Sequence, residues 1–231
     1  MADGRPDPPG TAPEQVATTS GADDGVEFAV LGDPGDGATL DLDHERFAYA
    51  GKFVMSSTGK AVARASGQSG GADEGDELDG TDVLAAASFD RDRTDPSVVR
   101  IRYVTVRRDR RGEGLGARLL DFVAGYALGG AGREDATGIA EYTDVDAVLI
   151  AVNNPFAYEA AYRAGFGYTG ERTGIAELVL PRPGDRSPGA YRRGLSAFRE
   201  RDDLDEAARA FLDVRRDAGP PQPIGSAEQG D

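Results

Sequence analysis

The sequence lacks cysteine and tryptophan altogether, and its only histidine is His44. Without cysteine the chain has no disulfide, no thiolate nucleophile and no thiolate metal ligand. A single histidine excludes a histidine-rich metal centre, so we expect no metal site and interpret His44 as an ordinary polar residue. No apolar run approaches the ~20 residues that cross a bilayer, and the polar N-terminus has no signal-peptide core. We therefore expect a cytoplasmic protein that does not bind membranes.

Lysine is also scarce. It occurs only at Lys52 and Lys60, so arginine supplies nearly all of the 26 basic residues, against 41 acidic ones. The formal charge of −15 argues against binding to nucleic acid or to anionic membranes, because both need surplus basic side chains. This composition resembles that of haloarchaeal proteins adapted to high salt, in which counterions screen carboxylate repulsion. A high-GC genome that replaces lysine codons with arginine codons is the alternative explanation.

The 231 residues suffice for one sizeable core with flexible ends. Residues 1–25 and 219–231 hold few large apolar side chains, and we expect both segments to be disordered tails. Between them the sequence predicts one folded domain over residues 26–183 and a helical extension over residues 184–218. An acidic, glycine-rich stretch at residues 66–81 interrupts the domain and is predicted to be a long solvated loop.

Hydrophobic periodicity predicts the elements of this domain. Strands are expected at residues 26–31, 61–65, 83–89, 99–106 and 145–152, with a late hairpin or bent strand at 168–180. Helices are expected from Asp43 to about residue 57, at about 114–128, and between Asn154 and Gly165. The strand at 145–152 should lie parallel to the one at 99–106, because the helix between them provides the crossover that parallel strands need.

The most informative stretch is VTVRRDRRGEGLGA, residues 104–117, which places a β-branched strand, a basic turn and three alternating glycines before an amphipathic helix. Glycines let backbone N–H groups turn toward a ligand, and a helix start carries the positive end of its dipole. Arg111, Gly112, Gly114 and Gly116 therefore predict a cradle for an anion, most simply a pyrophosphate.

A second motif, NPFAYEAAYRAGF, follows the apolar run at residues 147–152. Asn154 is a good N-cap, and Pro155 suits the first helical position, where its missing N–H has no intrahelical partner to lose. Gly165 is the expected helix stop. This segment therefore predicts a second strand-to-helix transition.

Together the two segments resemble the GNAT acetyltransferase superfamily over roughly residues 26–183. Arg111, Gly112, Gly114 and Gly116 match its RxxGxG pyrophosphate loop, and Asn154, Ala157, Gly165 and Phe166 match its second signature. The resemblance implies an α+β fold with a central mixed, mostly antiparallel sheet that contains one parallel, splayed strand pair and is flanked by helices. It also implies acetyl-CoA as cosubstrate. The implied coenzyme contacts are Val104, Thr105, Val106, Arg111, Gly112, Glu113, Gly114, Leu115, Gly116, Ala117 and Asn154.

One position departs from the family pattern. The tyrosine that is the family's proposed acid for the departing thiolate lies four residues before the GF glycine, and here that residue is Ala161. Tyr162, one residue on, and Tyr158, one helical turn before Tyr162, are the candidate replacements. A packing role for these aromatic rings is the alternative. Asp90 and Glu177 are possible general bases, but among 41 acidic residues a surface role is the simpler interpretation, and the base stays open.

The resemblance implies that residues 43–57 cover an acceptor amine on a small molecule, protein or peptide, which attacks acetyl-CoA directly in a ternary complex. Phe47, Tyr49, Lys52 and Phe53 are candidate acceptor contacts, against the simpler interpretation of core packing and surface charge. A noncatalytic acyl-CoA sensor or interaction module on the same fold is an alternative, because of Ala161 and the helical extension. A dinucleotide-dependent oxidoreductase fits GEGLGA less well, because RRDRR separates the strand from its first glycine. An apolar C-terminal helix makes a homodimer a further hypothesis.

Overall fold

The computed structural model describes residues 17–21, 25–66, 82–129 and 144–225. Seven strands form one sheet in the order of the chain: β1 (Ala17–Gly21), β2 (Val26–Gly32), β3 (Gly59–Ala65), β4 (Val83–Arg91), β5 (Val98–Val106), β6 (Ala147–Val152) and β7 (Leu178–Arg182). Neighbouring strands are antiparallel except β5 and β6, which are parallel. This mixed, mostly antiparallel sheet confirms the predicted fold class.

The described residues also contain four α-helices. They are α1 (Leu115–Ala127), α2 (Pro155–Arg163), α3 (Pro188–Arg199) and α4 (Glu206–Val214). Side chains cap three of them: Asn154, Ser187 and Asp205 begin α2, α3 and α4 by accepting a backbone N–H three residues on. The first two helices confirm the two strand-to-helix transitions that the motifs predicted.

The sheet separates two apolar clusters because successive side chains of a strand point to opposite faces. On one face, Val30, Ala61 and Ala85 pack with residues of all four helices. On the other face, Ala29, Val62 and Ala86 pack against residues 38–53. Tyr191, Leu195 and Phe198 of α3 are fully buried in the first cluster. The helices beyond residue 183 thus complete the core of the domain instead of standing apart from it.

The expected helix at residues 43–57 is wrong. Asp43 accepts N–H groups at the start of a turn, but the segment contains only turns and a short 3-10 helix, Ala50–Lys52. Tyr49 adopts a left-handed backbone, with φ of 60°, and this conformation breaks a right-handed helix. Helical spacing would place Phe47, Ala50 and Val54 on one buried face. Phe47 and Ala50 are buried, but Val54 is 50% exposed and Phe53 is buried instead, so the spacing identified only part of the buried set.

Four other segments differ from expectation or lie outside the described residues. Part of the expected N-terminal tail is strand β1, which main-chain pairing with β2 stabilises without large apolar side chains. At the C-terminal end, the N–H of Ile224 donates to the carbonyl of Arg163 at 2.8 Å, so the chain near residue 224 lies against the end of α2. Within 168–180 the only regular strand begins at Leu178. The loop predicted at 66–81 and the end of the tail, 226–231, lie outside the described residues except for Ser66.

Candidate coenzyme and acceptor site

A gap opens between the two parallel strands. β5 and β6 pair from Val98 with Ala147 to Ile101 with Ile150, and β5 then continues to Val106 with no partner strand on that side among the described residues. The pairing of β4 with β5 shifts register at the same level, which leaves Arg102 without a directly opposed residue on β4. A bulge of this kind bends its strand. The second half of β5 therefore presents unpaired main-chain donors and acceptors along the edge of the gap.

The glycine turn follows this unpaired edge after residues 107–111, which include a short 3-10 helix, Arg108–Arg110. Gly112 and Gly114 have φ of 89° and 81°, the left-handed region that favours glycine, and a Cβ on either would meet nothing within 4 Å. Gly114 is the N-cap of α1 but supplies no side-chain acceptor, and the first turn of α1 contains no acidic residue. The first N–H groups of α1 have no acceptor within the helix. The turn is thus open, and its free donors suit an anion.

Some arginines beside the turn are paired with a carboxylate, and others are not. Arg107 pairs with Asp109 at 2.7 Å, and Arg110 pairs with Glu113 at 2.7 Å. The hydrogen bond from Arg110 holds the pKa of Glu113 below its usual value. Arg111 and Arg108 have no carboxylate partner among the residues that the structure describes. Glu113 therefore contributes its backbone but not its carboxylate to a ligand in the turn, while Arg111 keeps its charge available.

The predicted strand contacts lie on the unpaired stretch of β5. Val104 and Val106 are half-buried there, and Thr105 between them is buried. The Thr105 hydroxyl has no hydrogen-bond partner in the part of the chain that the structure describes, which is uncommon for a buried polar atom. On the far side of the gap, the Asn154 side-chain oxygen accepts the N–H of Ala157 at 2.8 Å. Asn154 is therefore occupied in capping α2, and its side-chain amide N–H also donates to Asn153 at 3.1 Å.

The two candidate tyrosines of α2 are completely buried. The Tyr158 hydroxyl donates to the carbonyl of Tyr191 in α3 at 3.1 Å, and the Tyr162 hydroxyl accepts the N–H of Tyr168 at 3.1 Å. Burial raises the pKa of both phenols above its ordinary value. Ala161, at the position of the family tyrosine, is buried too. This geometry favours packing roles for Tyr158 and Tyr162 over the acid role that the resemblance implied.

The two acidic residues considered as bases already have partners. Asp90 pairs with Arg102 at 2.6 Å. The Glu177 carboxylate accepts the hydroxyl of Thr173 at 3.3 Å. Neither arrangement directs a free carboxylate into the gap, so the structure adds no support for either residue as the base. Within the described ranges, no group of three or more histidine, aspartate or glutamate side chains could hold a metal ion.

An open hollow of about 540 Å³ lies on the sheet face opposite α1, where residues 44–52 meet the end of β5. Its lining is His44, Phe47, Ala48, Tyr49, Ala50, Gly51, Lys52 and Arg108. The centres of the Tyr49 and Tyr103 rings are 6.2 Å apart, and Tyr103 is on the unpaired stretch of β5. Tyr49 of the lining therefore lies beside the unpaired stretch of β5.

Of the four residues that the sequence suggested for this region, Phe47, Tyr49 and Lys52 line the hollow and Phe53 does not. Tyr103, Arg108 and His44 were not among them. Tyr103 lies within the strand of the first motif, and Arg108 lies between that strand and the glycines. Their place in the motif was a usable signal, since residues at strand ends often carry function. The contribution of His44 depends on the irregular backbone of residues 44–52, which the sequence did not predict.

Lys60 is a cation whose burial the sequence did not predict. Its side chain is fully buried, and its ammonium group donates to the carbonyls of Met55 and Thr58 at 2.7 and 2.6 Å and to the Thr58 hydroxyl at 2.7 Å. It lies opposite Ser88 in the pairing of β3 with β4. Burial lowers the pKa of Lys60 to about 8. Lys60 thus holds residues 55–58 in place, and burying its charge lowers the free energy of unfolding.

This burial predicts a pH dependence of stability. Between a pKa of about 8 in the native state and 10.5 in the unfolded state, the unfolded state binds more protons, so the free energy of unfolding rises with pH. Below pH 8 the full burial penalty remains. We expect the difference in unfolding free energy between the wild type and Lys60→Met to grow by about 1–2 kcal/mol in favour of the wild type from about pH 7.5 to 9.5.

Chemical denaturation at several pH values measures this difference. Lys52→Met is the matched control, because Lys52 is the only other lysine and its side chain is exposed. The tyrosines titrate similarly in every variant, so their effect cancels in the comparison. A wild-type minus Lys60→Met difference that stays flat with pH would contradict the buried ammonium with a lowered pKa.

Among the comparisons with known proteins, only the one with solved structures found similar chains. No protein-family model and no curated protein matches the sequence. One structural neighbour, assigned to the GNAT acetyltransferase family, comes from Desulfovibrio desulfuricans; it is 14% identical with a TM-score of 0.35, over 54% of this chain and 68% of that chain. Another is nourseothricin acetyltransferase, 16% identical with a TM-score of 0.38, over 68% and 97% of the two chains. A third is a Bacillus subtilis acetyltransferase in complex with CoA, 17% identical with a TM-score of 0.33, over 54% and 75%.

All three neighbours are acetyltransferases. Identities below 20% and these TM-scores do not carry an activity across to this chain. Its function must follow from its own geometry: the parted strands, the open glycine turn and the hollow on the opposite face. In the part of the chain that the structure describes, no helix is both long and apolar enough to cross a membrane.

Proposed function

We propose that this protein is an N-acetyltransferase that moves an acetyl group from acetyl-CoA to a primary amine. The observation that carries the proposal is that the unpaired edge of β5 is followed, after residues 107–111, by an open, uncapped glycine turn. One extended ligand with an amide-containing arm and a diphosphate would satisfy both features at once. Coenzyme A has that shape and those groups.

The coenzyme contacts follow from the placement of the free donors. In this proposal the diphosphate accepts hydrogen bonds from main-chain N–H groups of the glycine turn and of the first turn of α1. These belong to Gly112, Glu113, Gly114, Leu115, Gly116 and Ala117. Arg111 adds a charge beside them. The pantetheine arm bonds to the main chain of Val104, Thr105 and Val106 in the gap. The Thr105 hydroxyl, which has no protein partner, supplies a further polar contact. Asn154 borders the arm through the end of β6.

The reaction needs little more than positioning and a donor for the oxyanion. The neutral amine nitrogen attacks the thioester carbonyl carbon to form the N–C bond, and the C–S bond then breaks to release coenzyme A as its thiolate. The amine loses one proton, and the thiolate takes up one. A main-chain N–H of the unpaired stretch of β5 would stabilise the tetrahedral oxyanion, because it is fixed in place and free of another partner.

The thiolate receives its proton from solvent in this account. The hydroxyls of Tyr158 and Tyr162 bond to the main chain inside the core, and a phenol whose pKa is raised by burial is a weaker acid. A coenzyme thiol has an ordinary pKa near that of cysteine, so its thiolate is an adequate leaving group in water. The two tyrosines instead fix α2 against α3.

A second candidate function is noncatalytic acyl-CoA binding. The observation that favours it is the same burial of Tyr158 and Tyr162, together with Ala161 at the position of the family's acid. Such a protein would bind the coenzyme and release no thiol. By contrast, a dinucleotide-dependent oxidoreductase of the doubly wound class needs a mostly parallel sheet, and β5 with β6 is the only parallel pair among the described strands; that alternative is set aside.

The proposal is tested by measuring free thiol release from acetyl-CoA with a panel of small amines and peptides. The assay is run in molar potassium chloride because the charge of −15 favours a screened medium. We expect amine-dependent thiol release and an increase in melting temperature with acetyl-CoA but not with NADH. Coenzyme binding without turnover on any amine would favour the sensor, and stabilisation by NADH alone would reject the coenzyme assignment.

Tyr162→Phe supplies the test of the acid. We expect this variant to keep its turnover rate within about threefold of the wild type while losing about 1 kcal/mol of stability, since one buried hydrogen bond is removed. Tyr158→Phe should behave in the same way. If the folded Tyr162→Phe variant instead turns over roughly 100-fold more slowly, a loss typical of a missing general acid, Tyr162 is restored as the proton donor.

A further inference from the structure

The hollow on the acceptor side has an unusual balance of charge for this chain. Its lining includes three basic residues, His44, Lys52 and Arg108, and no acidic one. The whole sequence has 41 acidic and 26 basic residues, only two lysines and one histidine. One of the two lysines and the only histidine therefore lie in the same small hollow.

The two strongest charges in the hollow have no carboxylate partner among the described residues. Arg108 takes part in no side-chain hydrogen bond or ion pair there, although Arg107 and Arg110 are paired with Asp109 and Glu113. Lys52 lies with its ammonium group 5.8 Å from the centre of the Tyr103 ring. Acidic side chains of the protein therefore neutralise the neighbouring arginines but not Arg108 or Lys52 in the hollow.

The hollow is also in the right place to receive the acceptor. Residues 38–53 cover one sheet face and α1 packs on the other, so the hollow lies on the face opposite the helix that begins at the glycine turn. The N–H of Arg108 donates to the carbonyl of Arg46 at 2.9 Å, which ties the lining to the end of β5. Tyr49 and Tyr103 extend the lining to the unpaired edge of β5.

We propose that the acceptor amine carries a negatively charged group, a carboxylate or a phosphate, which Arg108 and Lys52 hold in this hollow. The inference rests on the proposed acetyl transfer and names its substrate class. A guanidinium forms paired hydrogen bonds to either anion, and a lysine adds a point charge. The Tyr49 ring, 57% exposed, covers the body of the acceptor, and its amine reaches toward the thioester beside Tyr103.

This assignment reverses the simplest expectation from bulk charge. A protein with a net charge of −15 would favour cationic amines at long range. In high salt that long-range field is screened within several ångströms, so direct contacts decide which acceptor binds. The contacts that the hollow offers are cationic and aromatic.

Matched pairs of acceptors test the inference by the thiol-release assay. Phenylalanine is compared with phenethylamine for the carboxylate, and phosphoethanolamine with ethanolamine for the phosphate. We expect the anionic member of at least one pair to have a KM about tenfold lower, and the better pair identifies which anion binds. Arg108→Gln should raise that KM about tenfold and leave the kcat and the KM for the neutral partner unchanged.

Three controls separate the possible failures. Arg192→Gln, an exposed arginine of α3, should match the wild type on every acceptor. The acetyl-CoA Kd of Arg108→Gln should equal that of the wild type; if it weakens instead, Arg108 serves the coenzyme and the inference is overturned. A KM for the neutral amines equal to or lower than that for their anionic partners in both pairs also overturns it while leaving acetyl transfer intact. Absence of thiol release with every amine would reject the proposed function itself.

Discussion

Replacing Gly114 by valine should weaken acetyl-CoA binding by about 100-fold or more. Gly114 has φ of 81° at the start of α1, and a β-branched residue is strained there by roughly 1–3 kcal/mol. The backbone would relieve that strain by leaving the left-handed region, which turns the neighbouring N–H groups away from the diphosphate. A 100-fold change corresponds to about 2.7 kcal/mol of binding free energy. Isothermal titration of the folded variant with acetyl-CoA measures it.

Gly170→Val is the matched control for this variant. Gly170 also has a positive φ, 99°, a Cβ there would meet nothing within 4 Å, and the residue lies outside the gap and the turn. The two substitutions should reduce stability similarly, yet only Gly114→Val should reduce coenzyme affinity. Wild-type affinity in a folded Gly114→Val variant would show that the glycine turn does not bind the coenzyme.

Gly194→Ala should destabilise the protein by roughly 3 kcal/mol or more. A Cβ on Gly194 of α3 would lie 2.1 Å from the Tyr158 hydroxyl oxygen and 2.3 Å from the ring carbon that bears it. The Tyr158 ring is fully buried. Its centre lies 4.8 Å from the centre of the Tyr162 ring and 5.8 Å from that of the Tyr191 ring. The ring therefore has no space into which it can move, and α3 must separate from α2. Denaturant unfolding of the two proteins gives the difference.

Gly189→Ala provides the comparison within the same helix. A Cβ there would meet its nearest atom, on Arg193, at an ordinary 3.6 Å, and alanine favours helix by about 0.5–1 kcal/mol relative to glycine. This variant should be as stable as the wild type or more so. If Gly194→Ala were equally well tolerated, Tyr158 would not be packed against α3, and its hydroxyl would again be available for chemistry.

The sequence predicted the parts of the site that depend on local signals. The alternation of β5, the glycines before α1 and the Asn154–Pro155 start of α2 each contain their own physical cause within a few residues. Their order then predicted the parallel pair, because a crossover connection is what parallel strands need. The gap itself followed from the family resemblance, and it agrees with the pairing that ends at Ile101 and Ile150.

The parts that were not predicted depend on tertiary contacts. Residues 43–57 have helical spacing, yet Tyr49 is held in a left-handed conformation and its neighbours form turns. No local signal shows that Lys60 would be buried beneath this segment or that Arg108 would be left unpaired while its neighbours are paired. Likewise, Tyr158 and Tyr162 were considered as acids because sequence position does not reveal that α3 encloses them.

A crystal structure with acetyl-CoA bound tests the central claim most directly. The account predicts the diphosphate within hydrogen-bond distance of the main-chain N–H groups between Gly112 and Ala117, with the pantetheine arm along Val104 to Val106 and the thioester facing Tyr103. Coenzyme density elsewhere on the protein, or a gap between β5 and β6 filled by protein side chains, would contradict it.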